Sequence, residues 1–254
     1  MTAEAQTGTP QETYYAGAYW GPRKEPPEEC ARRTAVLLPL LASCEPFLAE
    51  WYKPARSPKE ARKHPLMPPD VSVLTELFRS GVNREKGGPA FEELGFSVWF
   101  GNGGGDNDRA SLRIKCGDYS GANPNACVLS LPTPGHGPGA DRVITAPVLA
   151  GVVRSMARAW EPDWAVAMSH AHRDMDDESG LANMWVGWVT YLARHLGTVP
   201  PLPAPVRIER VEDQGTLIIL TPERFTAANP EHVALARRVR ELLSRAGLLR
   251  PMTP

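Results

Sequence analysis

Three short strand-forming runs lie close together in the middle of the chain: Phe96-Ser97-Val98-Trp99-Phe100, Ser111 to Cys116, and Ala126 to Leu131. Turn-rich stretches, Gly101 to Asp108 and Gly117 to Asn125, separate them. Parallel neighbours need a longer crossover, usually a helix. The three runs are therefore read as an antiparallel meander, and the rest of the fold has to be built around it.

The flanking sequence supplies both strands and helices. Tyr14 to Trp20 reads as a strand ended by Gly21-Pro22, and Asp163 to Ser169 and Met184 to Leu192 as two more. Val206 to Val211 and Thr216 to Thr221 read as a hairpin after the stiff link Pro200, Pro201, Pro203 and Pro205. Pro26, Pro27, Glu28 and Glu29 open a helix that runs to about Trp51, with a kink or break near Pro39 or Pro46. Ser57-Pro58-Lys59-Glu60 is a capping box for a short basic helix, and Asp70 caps another that ends near Gly81. Thr145 with Pro147 starts a helix to about Trp160, and Asn229-Pro230-Glu231 starts a last one to about Ala246. Pro132 to Asp141 reads as a loop. Strands in groups with helices between the groups predict an α+β fold with a largely antiparallel sheet. Residues 1–13 read as a disordered lead-in and 14–249 as one domain. The stretch Pro54 to Pro69 has the composition of a linker, but it contains its own capping box.

Charge and cysteine usage narrow the function. The 28 Lys and Arg residues balance 29 Asp and Glu, a net charge of -1, which argues against a strongly basic nucleic-acid binder and against an acidic DNA mimic. The longest apolar stretch, Thr34 to Ala42, is broken by Pro39 and is too short to span a bilayer. Met1 to Glu12 has neither the basic start nor the apolar run of a secretory signal, so a cytoplasmic location is expected. Cys30, Cys44, Cys116 and Cys127 form no CxxC pair and read as reduced thiols. Cys30 and Cys44 on one helix lie about 21 Å apart, out of bonding range. The pairing of Cys116 with Cys127 across a hairpin stays open.

The sharpest constellation is His170-Ala171-His172-Arg173-Asp174 after a strand. Metallo-β-lactamase-type hydrolases present zinc ligands in an HxHxD segment at a strand end. Here Met175 stands where a further histidine is usual, and only His195 and His232 follow downstream. Gly101-Asn102-Gly103-Gly104-Gly105-Asp106 lacks the Gly-Lys-Ser/Thr and the helix start of a phosphate loop and reads as a hairpin turn. Asp174, Asp176, Asp177 and Glu178 form an acidic run, either a solvated loop or a docking surface for a basic partner. Aromatic residues fall on both faces of the predicted strands. Tyr14 and Trp20 face one way while Tyr15 and Tyr19 face the other; Trp188 faces opposite Trp185 and Tyr191. Helices on both faces are the ordinary consequence; the alternative is a partly open aromatic face for a protein partner.

The chain also resembles a known family. Tyr14-Tyr15-Ala16-Gly17-Ala18-Tyr19-Trp20-Gly21-Pro22-Arg23 followed by Glu28-Glu29-Cys30-Ala31 is similar to the immunity protein 52 family of bacterial polymorphic toxin systems. So are Gly187-Trp188-Val189-Thr190-Tyr191, Pro200-Pro201-Leu202-Pro203, and Gly215-Thr216-Leu217-Ile218 ahead of Asn229-Pro230-Glu231-His232. The resemblance covers about Tyr14 to Leu249. It implies an α+β protein without catalytic residues or cofactor that binds and neutralises a cognate toxin, typically a restriction-endonuclease-like nuclease. On that reading Asp174, Asp176, Asp177 and Glu178 form the electrostatic contact to a basic nuclease groove. Trp185, Tyr19 and Trp99 are the apolar anchors. The competing reading is a metal-dependent hydrolase built on His170, His172 and Asp174.

Overall fold

The computed structural model describes residues 11–84, 88–105, 107–176 and 184–250. In chain order the strands are β1 (Tyr14–Trp20), β2 (Phe96–Gly101), β3 (Ser111–Cys116), β4 (Asn125–Ser130), β5 (Trp164–Ser169), β6 (Val189–Ala193), β7 (Arg207–Val211) and β8 (Gly215–Ile219). The helices are α1 (Pro27–Cys44), α2 (Pro58–Ala61), α3 (Val71–Ser80), α4 (Pro138–Val143), α5 (Ala146–Trp160), α6 (His170–Asp176) and α7 (Pro230–Arg245). The described strands join one sheet in the order β2-β3-β4-β1-β5-β6-β8-β7. Every neighbouring pair in it is antiparallel. The fold is α+β, as the strand grouping predicted, and the meander β2-β3-β4 forms one end of the sheet.

One face of the sheet is roofed by helices. α3 packs on β2, α5 on β1, β5, β6 and β8, and α1 lies against both α3 and α5. Val98, Phe100, Leu112, Ile114, Cys116, Cys127 and Leu129 point into this roof and are buried. Trp20 stacks on Trp160 of α5, ring centroids 5.1 Å apart. Each large side chain buried here stabilises the fold by about 1.5–3 kcal/mol.

The helix ends follow local chemistry. Asp70 accepts from the amides of Ser72 (2.7 Å) and Val73 (3.2 Å), and Asn229 accepts from Glu231 (3.0 Å). α1 continues through Pro39 and stops at Cys44 rather than near Trp51. The residue before a proline is driven out of the helical region. Glu45, just ahead of Pro46, is accordingly extended at φ -161 and ψ 131.

Three expectations are corrected. The segment read as loop up to Asp141 contains α4, which opens with Pro138 in its first turn. The segment after β5, read as ligands presented at a strand end or as a solvated loop, is the helix α6. β6 begins only at Val189, because the chain turns at Gly187, whose amide donates to the Thr190 hydroxyl (3.0 Å). Trp185 and Tyr191 therefore do not share a strand face. The four cysteines are free, with Cys127 opposite Ile114 rather than Cys116 in the β3–β4 register. Of the expected lead-in, residues 1–10 lie outside the described residues. Glu12 is bonded into the fold: its carboxylate accepts from the Ser169 and Thr226 hydroxyls and from the Ala227 amide (2.8 Å). The stretch Pro54 to Pro69 is tied to the sheet through bridges from Tyr52 to Pro65 and Gly101.

Candidate partner-binding face

The second face of the sheet is covered at one end and open at the other. Over β5 the chain from Met184 to Trp188 folds back. The turn leaves Gly187 no room for a side chain, since a Cβ there would come 2.4 Å from the Val166 side chain. Val166, Met168, Thr190 and Ile218 are buried beneath this cover. Over β2, β3 and β4 none of the helices that roof the first face lies against this one, and at the β2 edge only the short α2 borders it among the described residues, its Ala61 lining a groove with Trp99. Strand alternation there presents Ser97 and Trp99, then Ser111, Arg113 and Lys115, then Ala126, Val128 and Ser130. Trp99 is 40% exposed, and Arg113 and Ser130 are exposed.

Register places these residues in rows. Trp99 lies opposite Arg113, Arg113 opposite Val128, and Val128 opposite Gly17 of β1. At about 4.8 Å per strand, this row is roughly 14 Å wide. Gly17 is small for a local reason: the Tyr19 ring folds over it, and a Cβ would lie 2.4 Å from the Tyr19 hydroxyl. Tyr19 then stacks on Trp164 (4.8 Å), and Trp164 meets Trp185 (5.6 Å) and donates its indole N–H to the Trp185 carbonyl (3.2 Å). Trp164 is fully buried, whereas Tyr19 and Trp185 at its two sides are partly exposed. The three predicted aromatic anchors, Tyr19, Trp99 and Trp185, therefore all belong to the second face, although Trp185 reaches it from a folded-back segment rather than from a strand.

The described part of the acidic run, Asp174 and Asp176, follows β5 on α6 beside the covered end. Asp174 is bound by Arg173 (2.7 and 3.0 Å), whose guanidinium carbon lies 5.9 Å from the centre of the Tyr15 ring. Burial pushes the Tyr15 hydroxyl up to about 12; Asp174 adds to this and Arg173 opposes it. Asp176 ends α6, while Asp177 and Glu178 lie outside the described residues. At the other end Lys115 pairs with Asp118 (2.9 Å). Burial alone would raise the Asp118 carboxyl, but Ser120 and the Lys115 ammonium hold it below the usual carboxylate range.

The zinc-ligand reading does not survive the local geometry. His170, His172 and Asp174 lie on a helix, where residues two apart point about 200° around the axis from one another. His170 turns to Thr13, whose hydroxyl lies 3.0 Å from Nδ1, and packs on Tyr15 at 4.9 Å. His172 is buried against Phe225 at 4.6 Å. Of the downstream histidines, His195 pairs with Asp163 (3.2 Å) and His232 accepts from the Thr226 amide (3.2 Å). No group of His, Cys, Asp and Glu able to hold a metal occurs among the described residues. Ser169 explains the helix: its hydroxyl accepts from the His172 amide (3.1 Å), an N-cap signal present in the sequence.

Arg113, Lys115, Ala126 and Val128 share this face without having been among the predicted contact residues. The alternation Leu112-Arg113-Ile114-Lys115-Cys116, apolar toward the roof and polar toward the open side, signals the first two, and the period of two in Ala126-Cys127-Val128-Leu129 the others.

Comparison with known proteins adds two findings. The structure is similar to Pseudomonas aeruginosa T6SS protein PA0821, with a TM-score of 0.53 at 14% identity, covering 92% of this chain and 72% of that one. At that identity the likeness concerns the fold. No curated protein matches the chain. The family described as Immunity protein 52 matches residues 12–252, nearly the whole chain, and on that match the chain belongs to the immunity protein 52 family.

Proposed function

We propose that this protein binds and neutralises a cognate polymorphic toxin by stoichiometric contact, without turnover, and that the contact is made by the open half of the sheet. The observation that carries this is the uncovered β2-β3-β4 face, with Trp99 exposed beside Arg113 on rigid strands. Exposed Trp and Arg on a preordered surface are the side chains that dominate protein–protein hot spots. Family membership supports immunity, and the T6SS protein that shares the fold fits interbacterial competition. A nuclease is the proposed toxin, and the cytoplasm, where its substrate lies, the proposed site of protection. No described helix is long and apolar enough to cross a membrane.

Tyr19 and Trp185 extend the apolar contact towards β5, and Asp174, Asp176, Asp177 and Glu178 supply a negative edge that accelerates capture of a basic nuclease groove. The test is to co-express the chain with the product of the adjacent gene, isolate the complex and titrate the toxin. The expected result is one-to-one binding, loss of nucleic-acid degradation at equivalence, and protection of toxin-expressing cells. Absence of binding and protection refutes the proposal. Neutralising all four carboxylates slows association and weakens its salt dependence; an unchanged association rate removes the acidic run from the interface.

A further inference from the structure

Several basic side chains gather at the β2 end of the open face; Arg109 there has an interaction within the molecule, whereas three others make no ion pair among the described residues. Most arginines in this chain are committed: Arg23 and Arg33 to Glu25, Arg142 to Glu45, Arg154 to Glu209, Arg158 to Glu212, and Arg224 to Asp141. Arg113, Arg56 and Lys53 make no ion pair among the described residues. All three gather at one place. Where Trp99 and Ser111 reach the sheet edge, the face runs into a groove of about 200 Å³ whose lining includes Lys53, Arg56, Trp99 and Arg109. Arg113 stands directly opposite Trp99 on β3. No carboxylate lines the groove among the described residues. Of the acids nearby in sequence, Glu50 accepts from the Tyr52 hydroxyl (2.7 Å) and Asp108 from the Gly139 amide (3.1 Å), Glu60 of α2 is exposed outside the groove lining, and Asp106 lies outside the described residues.

The face is therefore polar in the electrostatic sense. The row Tyr15, Ser130, Ser111 and Gly101 runs from the acidic end, where Asp174 and Arg173 sit beside Tyr15, to the cationic groove three strands away. At strand spacing this is about 14 Å. Resting on the immunity reading above, we infer that the Trp99–Arg113 end of the face and its groove receive an acidic, carboxylate-bearing segment of the protein partner. Trp99 is the desolvated anchor, and Arg113, Arg56 and Lys53 bind the carboxylates. Guanidinium groups suit this because they grip a carboxylate with two parallel N–H donors. Cations left unpaired within the molecule lose no internal partner on binding, so only their hydration opposes their attraction for an acidic partner. The opposite charge at the α6 end fixes which way round the partner sits. A protein rather than a nucleic acid is the occupant because the nearly balanced charge, -1 over the chain, supplies no extended basic surface beyond the groove along which a polyanion could be held.

The test uses the full chain and its adjacent-gene toxin, with association and dissociation followed at low and high salt. Wild type is compared with Arg113→Glu/Arg56→Glu, with Trp99→Ala, and with Arg210→Glu on β7, far from the face. All four substituted positions are exposed, and urea midpoints equal to wild type establish folding. The expected result is an association rate lower by about tenfold or more for the double charge reversal, with a flattened salt dependence. Trp99→Ala instead speeds dissociation, and Arg210→Glu changes neither rate. Wild-type rates and salt dependence for the charge-reversed protein overturn the inference while leaving the immunity reading standing. No binding by wild type overturns both. A single-stranded oligonucleotide that binds wild type at physiological salt and not the charge-reversed protein also overturns it, in favour of a nucleic-acid surface.

Discussion

Removing the charge of Glu25 should loosen the joint between β1, α1 and α5. Glu25 is 7% exposed, and its carboxylate meets Arg33 at 2.7 Å and Arg23 at 3.2 Å. Both arginines also hold the end of α5: Arg33 donates to the Ala159 carbonyl (3.1 Å) and Arg23 to the Trp160 carbonyl (2.9 Å). Cations at a helix C-terminus complement its dipole, so Glu25 keeps in place the groups that finish α5. Burial disfavours the charged Arg33, yet Glu25 and Glu161 hold its guanidinium above the ordinary range. Breaking a buried pair by deleting one partner costs about 3–5 kcal/mol. Here the arginine side chains remain 26% and 19% exposed, and Arg33 keeps Glu161 at 3.0 Å and Glu29 at 3.5 Å. Water and the two remaining acids offset part of the loss, so Glu25→Gln is expected to cost about 2–3 kcal/mol. For a domain of this size that lowers Tm by about 4–12 °C. The assay is urea unfolding at pH 7 of wild type, Glu25→Gln, Arg33→Met and the double variant. A coupling of about 1–2 kcal/mol between the two sites is expected, with an unchanged m-value. A loss below about 1 kcal/mol for Glu25→Gln, or strict additivity, refutes the reasoning.

Three further outcomes are expected. Asp70→Ala, which removes the acceptor of two α3 amides, should cost about 1 kcal/mol in urea unfolding, and a loss indistinguishable from zero would show that tertiary packing alone holds that helix end. Burial raises the Cys127 thiol and pushes the Tyr15 and Tyr191 hydroxyls up to about 12, so the folded chain keeps protons that the unfolded chain releases above about pH 8.5 for cysteine and about pH 10 for tyrosine. Stability from these groups is complete below those values and declines as pH rises towards the folded ones; a urea midpoint that climbs between pH 9 and about pH 11 contradicts this. Elemental analysis of the purified protein should find zinc well below one per chain, unchanged in a His170→Ala/His172→Ala variant, whereas stoichiometric zinc lost in that variant would restore the hydrolase reading.

Much of the fold was legible because its signals are local. The proline and carboxylate start of α1, the Asp70 and Asn229 caps and the turn-bounded meander each depend on a few neighbouring residues, and the structure places elements there. Two misreadings arose where a local signal was outweighed by another. HxHxD after a strand suggested an extended ligand segment, but the Ser169 cap turned it into α6 and sent the two imidazoles apart. The aromatic alternation from Met184 onward suggested one strand, but the turn at Gly187 split it.

The candidate site shows where sequence information ends. Alternation alone determined that Trp99, Arg113 and Val128 share one side of their strands and that Leu112, Ile114 and Cys116 share the other, because pleating imposes a period of two. It did not determine which side would be roofed. That depended on α1, α3 and α5 collecting on one face, on the Met184 to Trp188 segment crossing β5 on the other, and on β1 entering between β4 and β5. Those placements join residues more than a hundred positions apart, such as Tyr19 with Trp164 and Trp20 with Trp160. Pairings at such separations are set by how apolar surfaces fit when the whole chain packs, and no local pattern carries them. The sequence thus determined the chemistry each strand presents, and the tertiary structure decided which of those faces is roofed and which is open to solvent.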